Sequence, residues 1–276
     1  MAAFEPFRRE GVGIHTGARG AVTVRPGDLG RGVVFTTAAG DVPLCPASLA
    51  ADALHATDLA AGPARVRTVE HLAAALAWYG IDGARIEVEG PEIPILDGSA
   101  GPWCEALEAA GCVPAPRFVR FEAKIAAEID GARGEIAPIA DGATPRLEVE
   151  VEFGDAPVGG RRARFLPLDD DFAAGLAPAR TFALARDLEA LRAAELGRGG
   201  DLGCALVIGD AGPLNPEGMR FPDEPARHKL LDALGDLSIL GGLPWAEVRL
   251  FRPGHALNRA LVARAARLVS RRGAGR

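Results

Sequence analysis

Two short strings in this 276-residue chain place side chains where they could act together on a metal ion. In Arg227-His228-Lys229-Leu-Leu-Asp232-Ala-Leu-Gly-Asp236, His228 and Asp232 are four residues apart. On a helix they would stand about 40° apart on one face and about 6 Å along the axis. An imidazole and a carboxylate suit Zn²⁺, and a third ligand from elsewhere would leave the fourth position for water, as in a catalytic site. Spacing alone still favours an ordinary surface His–Asp pair. The second string, Glu70-His71, adds a histidine that could complete the set and a neighbouring carboxylate that could act as a base. Metal-assisted hydrolysis needs both, because the ion lowers the pKa of water to about 7 and a carboxylate then takes the proton. The alternative is a glutamate favoured by the helix dipole beside a partly buried histidine.

Other candidates stand alone. His255 follows Pro253-Gly254 and could protonate a leaving group, held protonated by Asp236, one turn beyond Asp232; by itself it reads as a loop histidine. Thr181-Phe182 offers a hydroxyl and a ring, or an ordinary strand end. His15 and His55 are expected in polar turns. Gly197-Arg-Gly-Gly-Asp-Leu-Gly203 looks like a phosphate loop but follows a helix and precedes a strand, the reverse of the required context. There is no G-x-S-x-G elbow and no H-E-x-x-H pair.

Composition narrows the class. Apolar residues are 48% and charged residues 25%, the balance of a folded globular chain. With 31 basic against 37 acidic residues, the net charge is −6, so nothing draws the chain to nucleic-acid phosphates. The basic stretch Arg267 to Arg276 reads as a solvated tail. No uncharged apolar run approaches the ~18 residues of a membrane span and the start lacks an apolar h-region, so a cytoplasmic protein is expected. Cys45, Cys104, Cys112 and Cys204 are widely spaced and read as free, mostly buried thiols. Only Lys124 and Lys229 are lysine among the basic residues, which singles out Lys229 as an ammonium retained for its chemistry, or by chance.

The elements that must position these groups follow from periodicity. Ala21 to Arg25 and Gly32 to Phe35 read as strands. Thr68 is the expected N-cap of a helix running to Gly80, Arg85 to Glu89 is a strand, and Pro102 opens a helix closed by Gly111. Val113-Pro114-Ala115-Pro116 reads as a linker. Strands follow at Phe118 to Ile129, Glu135 to Ile139 and Leu147 to Phe153. A helix is expected over Leu184 to Leu196, a buried strand over Ala205 to Ile208, and a helix from Pro225 to Gly241-Gly242. Strand Val248 to Phe251 and a final helix over Ala256 to Arg271 end the chain. Gly17-Ala-Arg-Gly20 and Gly131-Ala-Arg-Gly134 each precede an alternating strand, a sign of two similar halves. Strands grouped before helices in each half indicate an α+β fold.

Seven strings then coincide with one family. Gly11-Val-Gly-Ile-His-Thr-Gly17, Thr68-Val-Glu-His-Leu72, Glu92-Ile-Pro-Ile-Leu-Asp-Gly-Ser99, Ala179-Arg-Thr-Phe182, Leu214-Asn-Pro-Glu-Gly-Met-Arg-Phe221, the His228 string and Gly254-His-Ala-Leu-Asn258 occur in order. The chain resembles the zinc-dependent UDP-3-O-acyl-N-acetylglucosamine deacetylases of lipid A biosynthesis. The resemblance implies two similar α+β domains, residues 1–115 and 116–276, each a five-stranded sheet with two helices, the helices sandwiched between the sheets. An insert near 184–208 would build an acyl passage. It implies hydrolysis of the acetamide of UDP-3-O-[(R)-3-hydroxyacyl]-N-acetylglucosamine to acetate and the free amine. The zinc ligands would be His71, His228 and Asp232, Glu70 the general base, and His255 the general acid with Asp236 as its orienting partner. Thr181 would stabilise the oxyanion, Lys229 would supply positive charge and Phe182 would pack on the sugar. The expected partner is this small-molecule acylated UDP-sugar, with no nucleic acid and no transmembrane segment, and the protein acting as a monomer. Two departures stand out. Ala183-Leu184 replaces a second aromatic found in many members, and Ala137-Pro138 lies where some relatives carry a basic residue for the nucleotide, a role left to Arg133 or Arg252.

Overall fold

The computed structural model describes residues 4–28 and 30–270. Along the first half run β1 (Phe7–Val12), β2 (Arg19–Pro26), β3 (Gly32–Thr37), β4 (Gly40–Pro43), β5 (Leu59–Ala61), β6 (Ala64–Val66), α1 (Glu70–Trp78), β7 (Gly83–Glu89) and α2 (Gly101–Ala109). The second half contains β8 (Phe118–Phe121), β9 (Ile125–Ile129), β10 (Ala132–Pro138), β11 (Arg146–Glu150), β12 (Arg162–Phe165), α3 (Phe172–Gly175), β13 (Phe182–Leu184) and α4 (Leu188–Ala193). It continues with β14 (Leu206–Gly209), β15 (Gly212–Pro213), α5 (Glu224–Ser238), β16 (Leu243–Phe251), α6 (His255–Ala265) and β17 (Val269–Ser270).

The same sheet is built twice. The first has the order β1-β2-β7-β3-β4, and the path through the second is β9-β10-β16-β11-β12. In both, the late-arriving central strand is parallel to one neighbour, β7 to β3 and β16 to β11, and antiparallel to the other. The Gly-Ala-Arg-Gly strings fall at equivalent hairpins, β1-β2 and β9-β10, where Gly17 and Gly131 take φ of +67° and +78°, a region open to glycine at little cost. The second sheet is wider than the five strands expected. β8 runs parallel to the start of β16, and β17 pairs with β8, giving seven strands.

Alternation explains which face each strand buries. Val22 and Val24 in β2, and Leu147 and Val149 in β11, are buried while Arg146, Glu148 and Glu150, which alternate with the latter pair, are half-buried on the other face, as a sheet with one solvated face requires. The helices fill the space between the buried faces. α1 packs on α5 and α2, α5 lies on β11, β12 and β16, and α6 lies on β9, β10 and α5. One continuous core therefore joins Val22 and Phe35 of the first sheet, Leu72 of α1, Leu230 of α5 and Val248 of the second sheet. α1 is apolar nearly all round because it is covered on all sides. The small sheet β13-β14-β15 stands beside this body with its own cluster of Val158, Leu184, Leu206 and Ile208.

Three expectations are corrected. Thr68 does not cap α1: it has φ of +59° and donates to Glu92 Oε1 at 2.8 Å, and the helix starts at Glu70 with no side-chain cap. Glu92 is 1% exposed, and a carboxylate buried so deeply must collect donors; it also takes Thr16 N, Thr16 Oγ1 and His15 N. The final helix ends at Ala265. Leu268 is 37% exposed, so apolar burial no longer sustains a helix there, and Val269–Ser270 pair with the edge of β8 instead; residues 271–276 of the expected tail lie outside the described residues. The expected helix over Leu184 to Leu196 is shorter, since β13 occupies its start and α4 covers only Leu188–Ala193. All four cysteines are unbridged; Cys104 and Cys204 are buried and the other two half-buried.

Candidate active site

The site forms where α1 crosses α5. Pro225 lies in the first turn of α5, and all but Arg227 and Lys229 of its 15 residues are buried. His228 and Asp232 are each 2% exposed, which excludes the surface-pair reading. His228 Nε2 lies 3.2 Å from Asp232 Oδ1. His71 enters from the first turn of α1 and places its Nε2 3.5 Å from the same oxygen. The two imidazoles stand edge to face, centroids 5.1 Å apart. This approach depends on Gly235, because a Cβ there would lie 2.1 Å from the Glu70 carbonyl oxygen.

The three donor atoms suit a divalent cation. They lie within 4.8 Å of one another, and Asp232 Oδ1, though buried, has no hydrogen-bond partner among the described residues. Such an atom needs a charge or donor beside it. Lys229 Nζ donates to the other oxygen, Oδ2, at 2.9 Å. His228 Nδ1 faces the Ala179 carbonyl at 3.0 Å, so that nitrogen carries the proton and Nε2 turns its lone pair to the site. Burial pushes the His228 imidazole down to about 4, outweighing Asp232, with His71 and Lys229 acting in the same direction. Burial would raise Asp232, but His228, Lys229 and His71 together hold it well below the usual carboxylate range. A neutral imidazole and an ionised carboxylate are the forms that bind metal.

Beside this group sit two proton-transfer candidates. Burial pushes Glu70 up to about 7, against the pull of His255 and His71. Burial alone would lower His255, but Asp236, Glu70 and Asp232 outweigh it and raise it to about 9. His255 opens α6, where the helix dipole disfavours a cation, so the surrounding carboxylates decide its charge. Its Nε2 is 3.8 Å from Glu70 Oε1 and 3.7 Å from Asp232 Oδ2, and its Nδ1 is 3.0 Å from Asp236 Oδ2. Between these two values an ionised Glu70 and a protonated His255 coexist, the combination a base and an acid need.

These groups line a cavity of about 370 Å³. Thr181 and Phe182 line its wall; the Phe182 ring stands edge-on to His228 at 6.1 Å, with Lys229 Nζ 5.7 Å from its centroid. Leu188, Leu191, Leu196, Leu202, Val207 and Leu214 add an apolar lining.

A model of the family described as UDP-3-O-acyl N-acetylglycosamine deacetylase matches residues 4–267. The chain belongs to this family. Relatives named UDP-3-O-acyl-N-acetylglucosamine deacetylase include one from Myxococcus xanthus, 40% identical over 92% of this chain and 82% of the relative. Another, from Synechocystis, is 40% identical over 93% of this chain and 94% of the relative. That of Vibrio cholerae is 38% identical over 94% and 87%. The deacetylase family is one of metalloenzymes, in keeping with the His71, His228 and Asp232 cluster.

In this family member the structure brings together Glu70, His71, Thr181, Phe182, His228, Lys229, Asp232 and His255 around one cavity, with Asp236 behind His255. Arg133 and Arg252 do not line it; Arg133 lies over Phe251 and Arg252 faces Glu152. His15 and His55 do lie in turns, but both line the cavity, so all five histidines of the chain surround it. Sequence reasoning missed Thr57 and gave Asn258 no role. Thr57 Oγ1 donates to Asp236 Oδ1 and lies 3.1 Å from His255 Nδ1, while its N–H donates to Glu70 Oε2 at 3.1 Å. Asn258 donates to Asp236 Oδ2 at 2.8 Å. Asn258 stands one turn after His255, a usable signal; no pattern points to Thr57.

Proposed function

We propose that this enzyme hydrolyses the N-acetyl group of UDP-3-O-[(R)-3-hydroxyacyl]-N-acetylglucosamine, releasing acetate and the free amine in lipid A biosynthesis, with Zn²⁺ held by His71, His228 and Asp232. The observation that carries this reading is the buried Asp232 Oδ1, left without a hydrogen bond between two imidazole nitrogens and beside Glu70 and His255. When bound, Zn²⁺ supplies Lewis acidity, which polarises a carbonyl and acidifies water.

The chain's own groups do the rest. An amide is a poor electrophile with a poor leaving group, so a base, an acid and oxyanion stabilisation are all required. Glu70 takes the proton of the attacking water. His255 gives its proton to the departing nitrogen, and Asp236, held by Thr57 and Asn258, keeps the imidazole oriented. Thr181 donates to the developing oxyanion, Lys229 adds positive charge and Phe182 packs against the sugar. The apolar lining of the cavity accepts the acyl chain, with the segment near 184–208 as its wall.

Residues 1–115 and 116–276 are the two domains in this reading, divided in a stretch without regular structure. Among the described residues no helix is long and apolar enough to cross a membrane; in this reading the protein acts in the cytoplasm as a monomer on a small molecule, without nucleic acid.

The test is acetate release from the acylated UDP-sugar after chelation and after return of one equivalent of Zn²⁺. Loss and recovery are expected, with weak turnover of the unacylated UDP-sugar. Undiminished activity in the chelated protein would remove the metal from the scheme.

A further inference from the structure

Residues 179–181, beside the cavity, have no regular secondary structure yet carry the Ala179 carbonyl on His228 Nδ1 and the Thr181 side chain that lines the cavity. Something must hold this backbone to a fraction of an ångström if either contact is to serve chemistry. Arg180, between them, does not line the cavity. It is 1% exposed and meets Glu224, the first residue of α5, which is fully buried. Arg180 Nε donates to Glu224 Oε1 at 2.9 Å and Nη2 to Oε2 at 3.2 Å, while Nη2 also reaches the Gly218 carbonyl at 2.7 Å. Nη1 pairs with Glu217. Glu224 further accepts the backbone N–H groups of Arg180 at 3.0 Å and Arg220 at 2.6 Å.

Asp97 and Gly98 of the first half clamp the same segment. Arg220 Nη1 donates to the Pro178 carbonyl at 2.9 Å and to Asp97 Oδ2 at 2.8 Å, and Thr181 N–H donates to the Gly98 carbonyl at 2.7 Å. A buried ion pair adds little stability over a well-packed apolar pair, because desolvation offsets the attraction. What a saturated, two-pronged pair adds is a fixed geometry. Here that geometry ties the residue between Ala179 and Thr181 to α5 one turn before His228.

We propose that Arg180 and Glu224 are positioning residues that lock segment 178–181 to the start of α5, setting both the Ala179–His228 hydrogen bond and the place of Thr181. The Thr181 half rests on the function proposed above. The His228 half needs only metal binding.

The experiment uses the Zn²⁺-loaded full chain and two substitutions, measuring kcat and KM on the acylated UDP-sugar and Zn²⁺ affinity by chelator competition. Lysine cannot reproduce the guanidinium fork, so in Arg180→Lys kcat falls and Zn²⁺ binding weakens, each by about 10-fold or more, as for other residues that orient metal ligands, with KM within about twofold. Arg220→Gln, at a partly exposed position, moves both in the same direction by about threefold or more, and decides the matter if Arg180→Lys does not fold. A folded variant that keeps either kcat or Zn²⁺ affinity within twofold of the parent overturns the proposal, even if its Tm has fallen, since a merely structural pair would show that pattern. A parent that releases no acetate would count against the function instead, and the Zn²⁺ affinities would then decide the clamp alone.

Discussion

The two halves share a strand order but not a division of labour. α1 spends its polar residues at its first turn, Glu70 and His71, and is apolar thereafter. α5 carries His228, Asp232 and Asp236 along one buried face over two further turns. The second helices differ as well. α6 opens on His255, whereas α2 opens on Gly101 and Pro102 and has no acidic residue in its first turn. A duplicated scaffold thus supplies the frame twice, while the candidate metal and proton-transfer groups gather where the copies meet, and unequally. The reason is physical: a buried charge needs partners, and the helix crossing is the place where each half can supply them to the other.

If both halves are needed, removing a ligand from either should have a similar result. His71→Ala and His228→Ala are expected to lose Zn²⁺ and activity together, a loss exceeding the about 10²–10⁴-fold of a single acid–base group, as read by metal content and turnover. Retention of metal by either would make the crossing asymmetric in its binding as well as in its composition. Glu70→Ala comes next: kcat should fall by about 10²–10⁴-fold while bound metal stays stoichiometric, separating the two adjacent residues of α1 by role.

The pH profile sharpens the contrast between α1 and α6. On the proposed roles, activity requires Glu70 ionised, above about 7, and His255 protonated, below about 9. A bound dication favours the carboxylate and disfavours the imidazolium, so in the loaded enzyme both limbs shift to lower pH than these values. Activity should rise through the Glu70 limb and fall through the His255 limb; Glu70→Gln should abolish the former. A profile for that variant with an unchanged acid limb would assign the base elsewhere.

Glycines give the smallest effects. Gly235→Ala forces a methyl against the Glu70 carbonyl and is expected to cost about 1–3 kcal/mol, the usual range for overpacking, as measured by denaturant unfolding. Gly254, just before His255, has extended backbone and no atom within 4 Å of an added Cβ among the described residues. Gly254→Ala should stay within about 0.5 kcal/mol of the parent. Equal costs at the two positions would mean that the crossing has more slack than its geometry implies.

Much of this arrangement was legible in the sequence. The alternation of Leu147 to Glu150 is a local signal with one structural solution, whereas the i,i+4 spacing of His228 and Asp232 and the Glu70-His71 pair at a helix start left a surface or structural alternative that only the burial at the helix crossing removes. The Gly-Ala-Arg-Gly match marked equivalent hairpins. What escaped was set by distant partners. Thr68 has the residue type of an N-cap but gives its hydroxyl to Glu92, and β17 exists because β8 leaves an edge to pair with. The role of Thr57 depends on Asp236, 179 positions away, and no window of sequence contains both. His15 and His55 read as turn residues and are turn residues; that those turns face the cavity is a property of the assembled chain.

That separation of 179 positions also orders events as the chain matures. The residue that touches both the base and the partner of the acid cannot do so until a loop from the amino-terminal half meets the longest helix of the carboxy-terminal half. Contacts spanning so much chain carry a closure entropy that local contacts do not. Competence for hydrolysis would then require both halves folded and packed together, so that a half-finished polypeptide is an inert one.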